Sequence, residues 1–282
     1  MSKWNGAVLD SRPIVAFQGE HGAYSEEAVF TYFGSNARTE PCKSLRDVFS
    51  FAELGKVESG VVPAENSLEG SVNQTYDLLL ESPLRIRGEI KIRINHCLLA
   101  LPGTRLEDVK VVYSHPQALA QCAEFLYGLN ADALPSYDTA GSAKVIKDQK
   151  IQNAAAIASE HCANIHGLTI LKRNIEDLPG NFTRFFVIGR QDAARTGMDK
   201  TSIVFSAKHV PGSLYDALRE LATRKINLTK IESRPIRTTP WEYYFFVDFE
   251  GHNSEAVCCE ALDELSNATT FLKILGSYPR AP

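Results

Sequence analysis

Short apolar runs alternate with helix-period stretches through the first 190 residues of the chain. IVAF (14–17) leads into GEHGAYSEEAVFTYF, and GVV (60–62) leads into PAENSLEGSVNQTYDLLL. VVYS (111–114) precedes HPQALAQCAEFL, and AAAIA (154–158) precedes EHCANIHGL. Short apolar runs bounded by turn residues read as buried strands, and the stretches between them read as helices. This βα rhythm predicts a layered α/β domain. The segment LRIRGEIKIRINHCLLALPG (84–103) departs from it. Ile86, Ile90, Ile92 and Ile94 stand at period 2 with Arg and Lys between them, the pattern of a long, half-exposed strand. Such a strand can cross between two lobes, with 173–190 as the natural return. Two lobes joined by two crossings form a cleft, the usual place for a small ligand.

Residues 191–200 (QDAARTGMDK) are polar and aperiodic and read as a linker. The remainder reads as βαββαβ. TSIVFSA (201–207) is a strand. Leu214, Ala217, Leu218 and Leu221 mark one helix face, and Cys258, Ala261, Leu262 and Leu265 mark another. INLTKIESRPI, YYFFVDF and FLKILGSYP are the other strands. That order is ferredoxin-like and long enough for a domain of its own.

Length and composition narrow the class. A chain of 282 residues suits two domains, at roughly 100–200 residues per domain. With 44% hydrophobic and 23% charged residues it can build ordinary cores, and a net charge of −4 gives no basic field for nucleic acid or a membrane surface. No run approaches the ~20 apolar residues of a membrane span. The N-terminus MSKWNGAVLDSRP has neither a signal core nor transit character. The six cysteines show no CxxC and no zinc spacing, so reduced thiols and a cytoplasmic location are expected.

The chemistry-bearing residues gather at the βα junctions. In GEHGAYSEE (19–27) Ser25 suits a helix N-cap, with Glu26 and Glu27 in the first turn. In PAENSLEGS (63–71) Glu65, Asn66 and Ser67 precede a helix and suit a turn, a cap or a ligand contact. In SHPQA (114–118) Pro116 suits the first helical turn, leaving Ser114 or His115 to cap or to face a ligand. DTAGSA (138–143) repeats the pattern with Thr139 and Ser142. Ligand sites of open α/β sheets lie at the carboxyl ends of strands, built from such turns. One further feature stands out: NFTRFFVIGR (181–190) places a hydroxyl and a guanidinium inside an apolar strand. A buried Arg must find an anionic partner, either an internal carboxylate or an anionic ligand. No metal-ligand spacing, P-loop or nucleophile elbow is present.

The combination of PAENSLEGSV, SHPQALAQC, DTAGSAK, IED followed three residues later by NFTRF, then PGSLYDAL and NLTKIESRP, resembles the prephenate and arogenate dehydratases. The resemblance covers about residues 13–279. GEHGAYSE is closer to the plant-type arogenate enzymes. It implies a two-lobed, periplasmic-binding-protein-like α/β catalytic domain over 12–190 and a ferredoxin-like ACT regulatory domain over 200–280. The implied reaction removes carbon dioxide and hydroxide from a cyclohexadienol, giving phenylpyruvate from prephenate or phenylalanine from arogenate. Aromatisation drives it, so no cofactor is expected. By the same resemblance Thr183 lies against the leaving hydroxyl, Arg184 binds a substrate carboxylate, and Phe185 packs the strand and shapes the pocket. Asn66, Ser67, Ser114, Gln117, Thr139 and Asn181 are candidates for positioning the substrate. Glu65 can bias the choice between a keto and an ammonium side chain, and His115 either tunes protonation or caps its helix. Phenylalanine is the implied effector, held between paired ACT domains by Pro211, Gly212, Ser213 and Leu214 of one and Asn227, Leu228, Glu232 and Ser233 of the other. That pairing implies a homodimer or homotetramer. A non-catalytic sensor of small acids is the alternative class.

Overall fold

The computed structural model describes residues 12–281; the segment 1–11, read above as carrying no leader, lies outside the described residues. Three sheets organise the chain. The first has the spatial order Arg38–Cys42, Ile14–Gln18, Ser59–Asn66, Phe182–Gly189, Arg85–Arg93, with Gly70–Ser71 paired to Ser59–Asn66. Its first three strands are parallel and the last two run antiparallel to their neighbours. The second sheet has the order Thr169–Arg173, Cys97–Ala100, Ala154–Ala158, Val111–Ser114, Asp132–Pro135. Apolar residues of both sheets, among them Phe17, Ile92, Leu99, Ala156 and Phe185, share one buried cluster where the lobes meet.

The chain crosses between these lobes twice. The 84–103 segment is two strands, Arg85–Arg93 in the first sheet and Cys97–Ala100 in the second, with Ile94–His96 between them. The return divides in the same way, into Thr169–Arg173 and Phe182–Gly189. A single ladder cannot follow two sheets of different orientation, so the hydrogen bonding breaks at each crossing. Ile90, Ile92 and Ile94 are buried on one face as their spacing predicts, but a shift of register puts Ile86 on the other, and that face is not left to solvent, for Glu89 is buried too.

The third sheet explains why. It has the order Leu228–Pro235, Tyr243–Glu250, Asp199–Ser206, Phe271–Pro279, antiparallel throughout. The helices Ser213–Ala222 and Ala256–Ala268 pack on one face through Ala217, Leu221, Cys258, Ala261, Leu262 and Leu265. The other face lies on the first lobe, where Phe246, Leu275 and Tyr278 share a core with Ile86, Tyr76 and Phe186. Gly276 permits this approach, because a Cβ there would overlap the carbonyl oxygen of Ile86. The sequence reads as two separable units, whereas the structure has one apolar core running across the boundary. Asp199 and Lys200, assigned above to a linker, already belong to the first strand of the third sheet. Asp199 accepts the N–H groups of Thr196 and Gly197 and so folds the connection onto the strand. Among the described residues no helix is long and apolar enough to cross a membrane, and the cysteines carry free thiols.

Candidate active site

A cavity of about 690 Å³ opens between the two lobes at the carboxyl ends of their parallel strands. Alternation along Phe182–Gly189 decides what enters it. Thr183 and Phe185 line the cavity, while Arg184 and Phe186 point to the opposite face of the sheet. Asn66, Asn181, His115, Gln117 and Thr139 also line it. So do Tyr24, Ser25, His96, Gln121, Asp138 and Lys43, which sequence reasoning did not select as ligand contacts.

Asn66 and Thr183 are direct partners across two antiparallel strands, and this register brings their side chains together. Asn66 was expected in a turn before a helix; it is a strand residue, because the strand runs on from Ser59 to Asn66. Its Oδ1 accepts the backbone N–H groups of Leu68 and Glu69 at 3.0 and 3.1 Å, which fixes the orientation of the amide. Its Nδ2 therefore faces Asn181 Oδ1 at 2.7 Å and Thr183 Oγ1 at 3.0 Å. With its oxygen accepting from Asn66, the Thr183 hydroxyl keeps its own hydrogen for another acceptor. Asn181 Nδ2 in turn donates to Gln121 Oε1 at 3.2 Å.

Four expected contacts lie elsewhere. Ser114 is fully buried and donates to the Ile157 carbonyl at 2.7 Å, joining two neighbouring strands of the second sheet. Ser67 is occupied with the backbone of Phe182 and Gly180. Glu65 pairs with Arg184 at 3.1 Å and Lys230 at 3.3 Å on the far face. Arg184, expected on a substrate carboxylate, is held by Asp248 at 2.7 Å, with Glu89 at 3.3 Å and Tyr76 Oη at 3.3 Å, between the first lobe and the third sheet. Burial disfavours its charge, but Asp248, Tyr278 and Tyr76 together outweigh burial and hold its pKa above the ordinary value. The physical reason for these displacements is period 2: adjacent residues on a strand serve opposite faces, so Glu65–Asn66 and Thr183–Arg184 each contribute only one member to the cleft.

The helix termini complete the cleft. Ser25 was expected to cap its helix, but the cap position is Ala23, which has no side-chain bond, and the helix is Tyr24–Phe33. Ala23, Tyr24 and Ser25 thus place this helix N-terminus at the cavity, a favourable setting for a carboxylate, although the Ala23 N–H itself donates to the Glu20 carbonyl. His115 does cap Pro116–Ala120, accepting Gln117 N–H on Nδ1 at 3.2 Å, and it still borders the cavity. Asp138 caps the helix that begins at Thr139. Its other oxygen accepts Glu20 N–H at 3.1 Å, and Lys144 meets Glu20 at 2.8 Å, so the lobes touch across one side of the cleft. The glycines of GEHG fit this contact: Gly22 has φ +95, and a Cβ there would lie 2.9 Å from Cys162 Cα of the other lobe.

Glu26 is a second tie between the lobes. Its buried carboxylate accepts Gly22 N–H at 2.6 Å and Thr39 Oγ1 at 2.7 Å, and it faces His21 at 2.7 Å and His161 at 3.5 Å. Burial pushes this carboxyl up, but His161, Gly22, His21 and Thr39 together outweigh it and bring the pKa down from 4.5 to about 2. Because the folded value is the lower one, ionised Glu26 stabilises the fold above about 4.5, and that contribution is lost as pH falls toward 2. Glu26→Gln should therefore lower the urea midpoint at pH 7 and flatten its acid decline between those values. An acid limb as steep as that of the parent would show that other carboxylates carry it.

The prephenate dehydratase family matches residues 15–193, and the ACT domain family matches 201–257. The bifunctional chorismate mutase/prephenate dehydratase of Aquifex aeolicus is 45% identical over 277 residues, covering 97% of this chain and 75% of that one. A prephenate dehydratase from Arthrobacter aurescens solved with L-Phe superposes with a TM-score of 0.87 at 34% identity, covering 95% of this chain and 90% of that one. A structure described as a novel type of quorum quenching acylase gives the same TM-score at 36% identity, covering 95% and 98%. With the lyase family matched over the two-lobed part and the ACT family over most of the third sheet, the chain belongs to the prephenate dehydratase family.

Proposed function

We propose that the cleft converts prephenate to phenylpyruvate, with Thr183 aiding departure of the ring hydroxyl. The observation that carries the reading is the fixed hydroxyl: Asn66 holds Thr183 Oγ1 as an acceptor, so its hydrogen is available to the leaving oxygen. As the ring C–O bond breaks, the ring carboxylate's C–C electrons move into the ring and carbon dioxide departs. A threonine hydroxyl is a weak acid, so its contribution is a hydrogen bond that grows stronger as hydroxide develops. The uncapped N-terminus of Tyr24–Phe33, with Lys43 at the rim, suits the substrate's carboxylates. Acyl hydrolysis is less well served, because the group bonded to Thr183 Oγ1 is an amide, which cannot accept its proton. Product absorbance during incubation with prephenate, and separately with arogenate, tests the reaction and the substrate together. No aromatic product from either would overturn the proposal.

Phenylalanine as effector is assigned to the third sheet. A cavity of about 390 Å³ there is lined by Lys208, Val210, Pro211, Ser213, Leu214, Trp241 and Phe245 among others. Asn227, just before the edge strand, and Leu228 and Ser233 within it lie apart from that cavity, as halves of a site completed by a second copy would; Glu232, expected with them, turns inward instead. Glu232 reaches Ser71 of the first lobe and Lys230, so the edge strand's inner face is held to the catalytic part. The divided site supports the reading of a homodimer or homotetramer paired through this domain. Gly212 precedes the helix Ser213–Ala222 at φ +87. A Cβ there meets nothing within 4 Å, so a side chain at this position would not crowd its surroundings. The cost is a β-branched residue at positive φ, about 1–3 kcal/mol, relieved by shifting Pro211 and Ser213. Gly212→Val should weaken calorimetric binding of phenylalanine at least tenfold while uninhibited turnover stays near parental. Unchanged affinity would place the effector elsewhere.

A further inference from the structure

His96 is buried, lies at the crossing between the lobes, and borders the cleft without any role assigned so far. Its Nε2 is 2.9 Å from Gln121 Oε1 and its Nδ1 is 3.1 Å from Tyr24 Oη. The polarity of the first contact can be worked out from backbone atoms. Leu68 and Glu69 N–H groups fix Asn66 Oδ1, which turns Asn66 Nδ2 to Asn181 Oδ1, and Asn181 Nδ2 to Gln121 Oε1. Gln121 thus presents its oxygen to both Asn181 and His96. An acceptor facing Nε2 requires a hydrogen on that nitrogen. Burial disfavours a second proton on the imidazole, which leaves Nδ1 without a hydrogen; the Tyr24 hydroxyl beside it donates to the Asn95 carbonyl at 2.6 Å.

We infer that His96, as the neutral Nε2–H tautomer, is a positioning residue for dehydration: it anchors Gln121 and, through Asn181 and Asn66, the aim of the Thr183 hydroxyl. The segment 175–177 supports this independently, because it clasps both ends of that anchor. Ile175 N–H donates to the His96 carbonyl at 3.1 Å, and His96 N–H donates to Glu176 at 3.0 Å. Asp177 N–H donates to the Gln121 carbonyl at 2.8 Å. The chain that ends on Thr183 is therefore braced at its far end by backbone bonds. His96 is assigned no bond to the substrate; it acts by excluding the flipped orientations of Gln121 and Asn181, and so keeps Asn181 Oδ1 on Asn66, whose own oxygen is already set by the Leu68 and Glu69 N–H groups.

The inference rests on the dehydratase reading, and its test separates the two. In the full-length protein, His96→Leu removes the donor, whereas His96→Gln supplies an amide N–H at similar reach. His96→Leu should lower kcat by roughly 10–10²-fold, the scale of a small misplacement of a reacting group, with KM changed much less. His96→Gln should recover most of that loss. In a Gln121→Leu background, His96→Leu should add little, since the path through Gln121 is already cut. Calorimetric phenylalanine binding at the third sheet reports that each variant is folded. A folded His96→Leu with parental kcat overturns the inference, and so does a loss that His96→Gln fails to recover or that adds fully to Gln121→Leu. Parental protein inactive on both substrates would overturn the dehydratase reading instead.

Discussion

Thr183→Ala should lower kcat for prephenate by roughly 10²-fold or more, while KM and the unfolding midpoint stay close to the parent. The fold should tolerate the change because Asn66 Nδ2 retains Asn181 Oδ1 and the Phe182 carbonyl as acceptors. Thr183→Ser keeps a hydroxyl within reach of Asn66 and should recover most of the loss, its freer rotamer accounting for the remainder. Steady-state kinetics of both variants by product absorbance decides the matter. Near-parental turnover by a folded Thr183→Ala would remove the hydroxyl from the chemistry.

The largest stability effect is expected one residue away. Arg184→Met should destabilise the protein by about 3–5 kcal/mol, because it leaves the buried Asp248 carboxylate without its cation. Glu89 would keep the Lys200 cation at 3.0 Å, but Asp248 would keep only the neutral Ser202 hydroxyl at 2.6 Å in place of Arg184. Removing the facing charge as well, in Arg184→Met/Asp248→Leu, should recover a substantial part of the loss, since an unpaired charge is worse than none. Urea denaturation of the three proteins measures this. Equal midpoints for parent and Arg184→Met would mean the cluster is solvated and weak. Arg184→Lys should show a raised KM only if the guanidinium also serves the substrate; the geometry predicts a stability change first, because a point charge cannot span Asp248, Glu89 and Glu65 together.

Much of this architecture was legible in the amino-acid order. The βα rhythm, the two crossings and the βαββαβ tail rest on local periodicity, and local periodicity survives without knowledge of partners. The helix face Cys258, Ala261, Leu262, Leu265 is buried throughout, and Ile86, Ile90, Ile92 and Ile94 are all buried. Thr183 and Arg184 announced themselves as misfits in an apolar strand, and each does have a polar reason to be there. His96, an imidazole between Ile94 and Cys97 in the other crossing, is the same kind of misfit and was open to the same reading.

Only the tertiary structure decided which face each misfit serves. Period 2 says that Thr183 and Arg184 point apart, but not which one meets the cleft; that depends on the second lobe covering one side of the sheet and the third sheet covering the other. The same pairing converted Glu65–Asn66 from an expected turn into one interdomain ion-pair residue and one cleft residue, because a strand's end is set by its neighbours' ladder as well as its own turn signals. The chain from Thr183 through Asn66, Asn181 and Gln121 to His96 joins residues 25 to 117 positions apart, and no local pattern records such distances. Sequence determined the elements and the stock of polar groups. Long-range packing determined their facing and therefore their roles, since a side chain's chemistry depends on what the rest of the fold places against it.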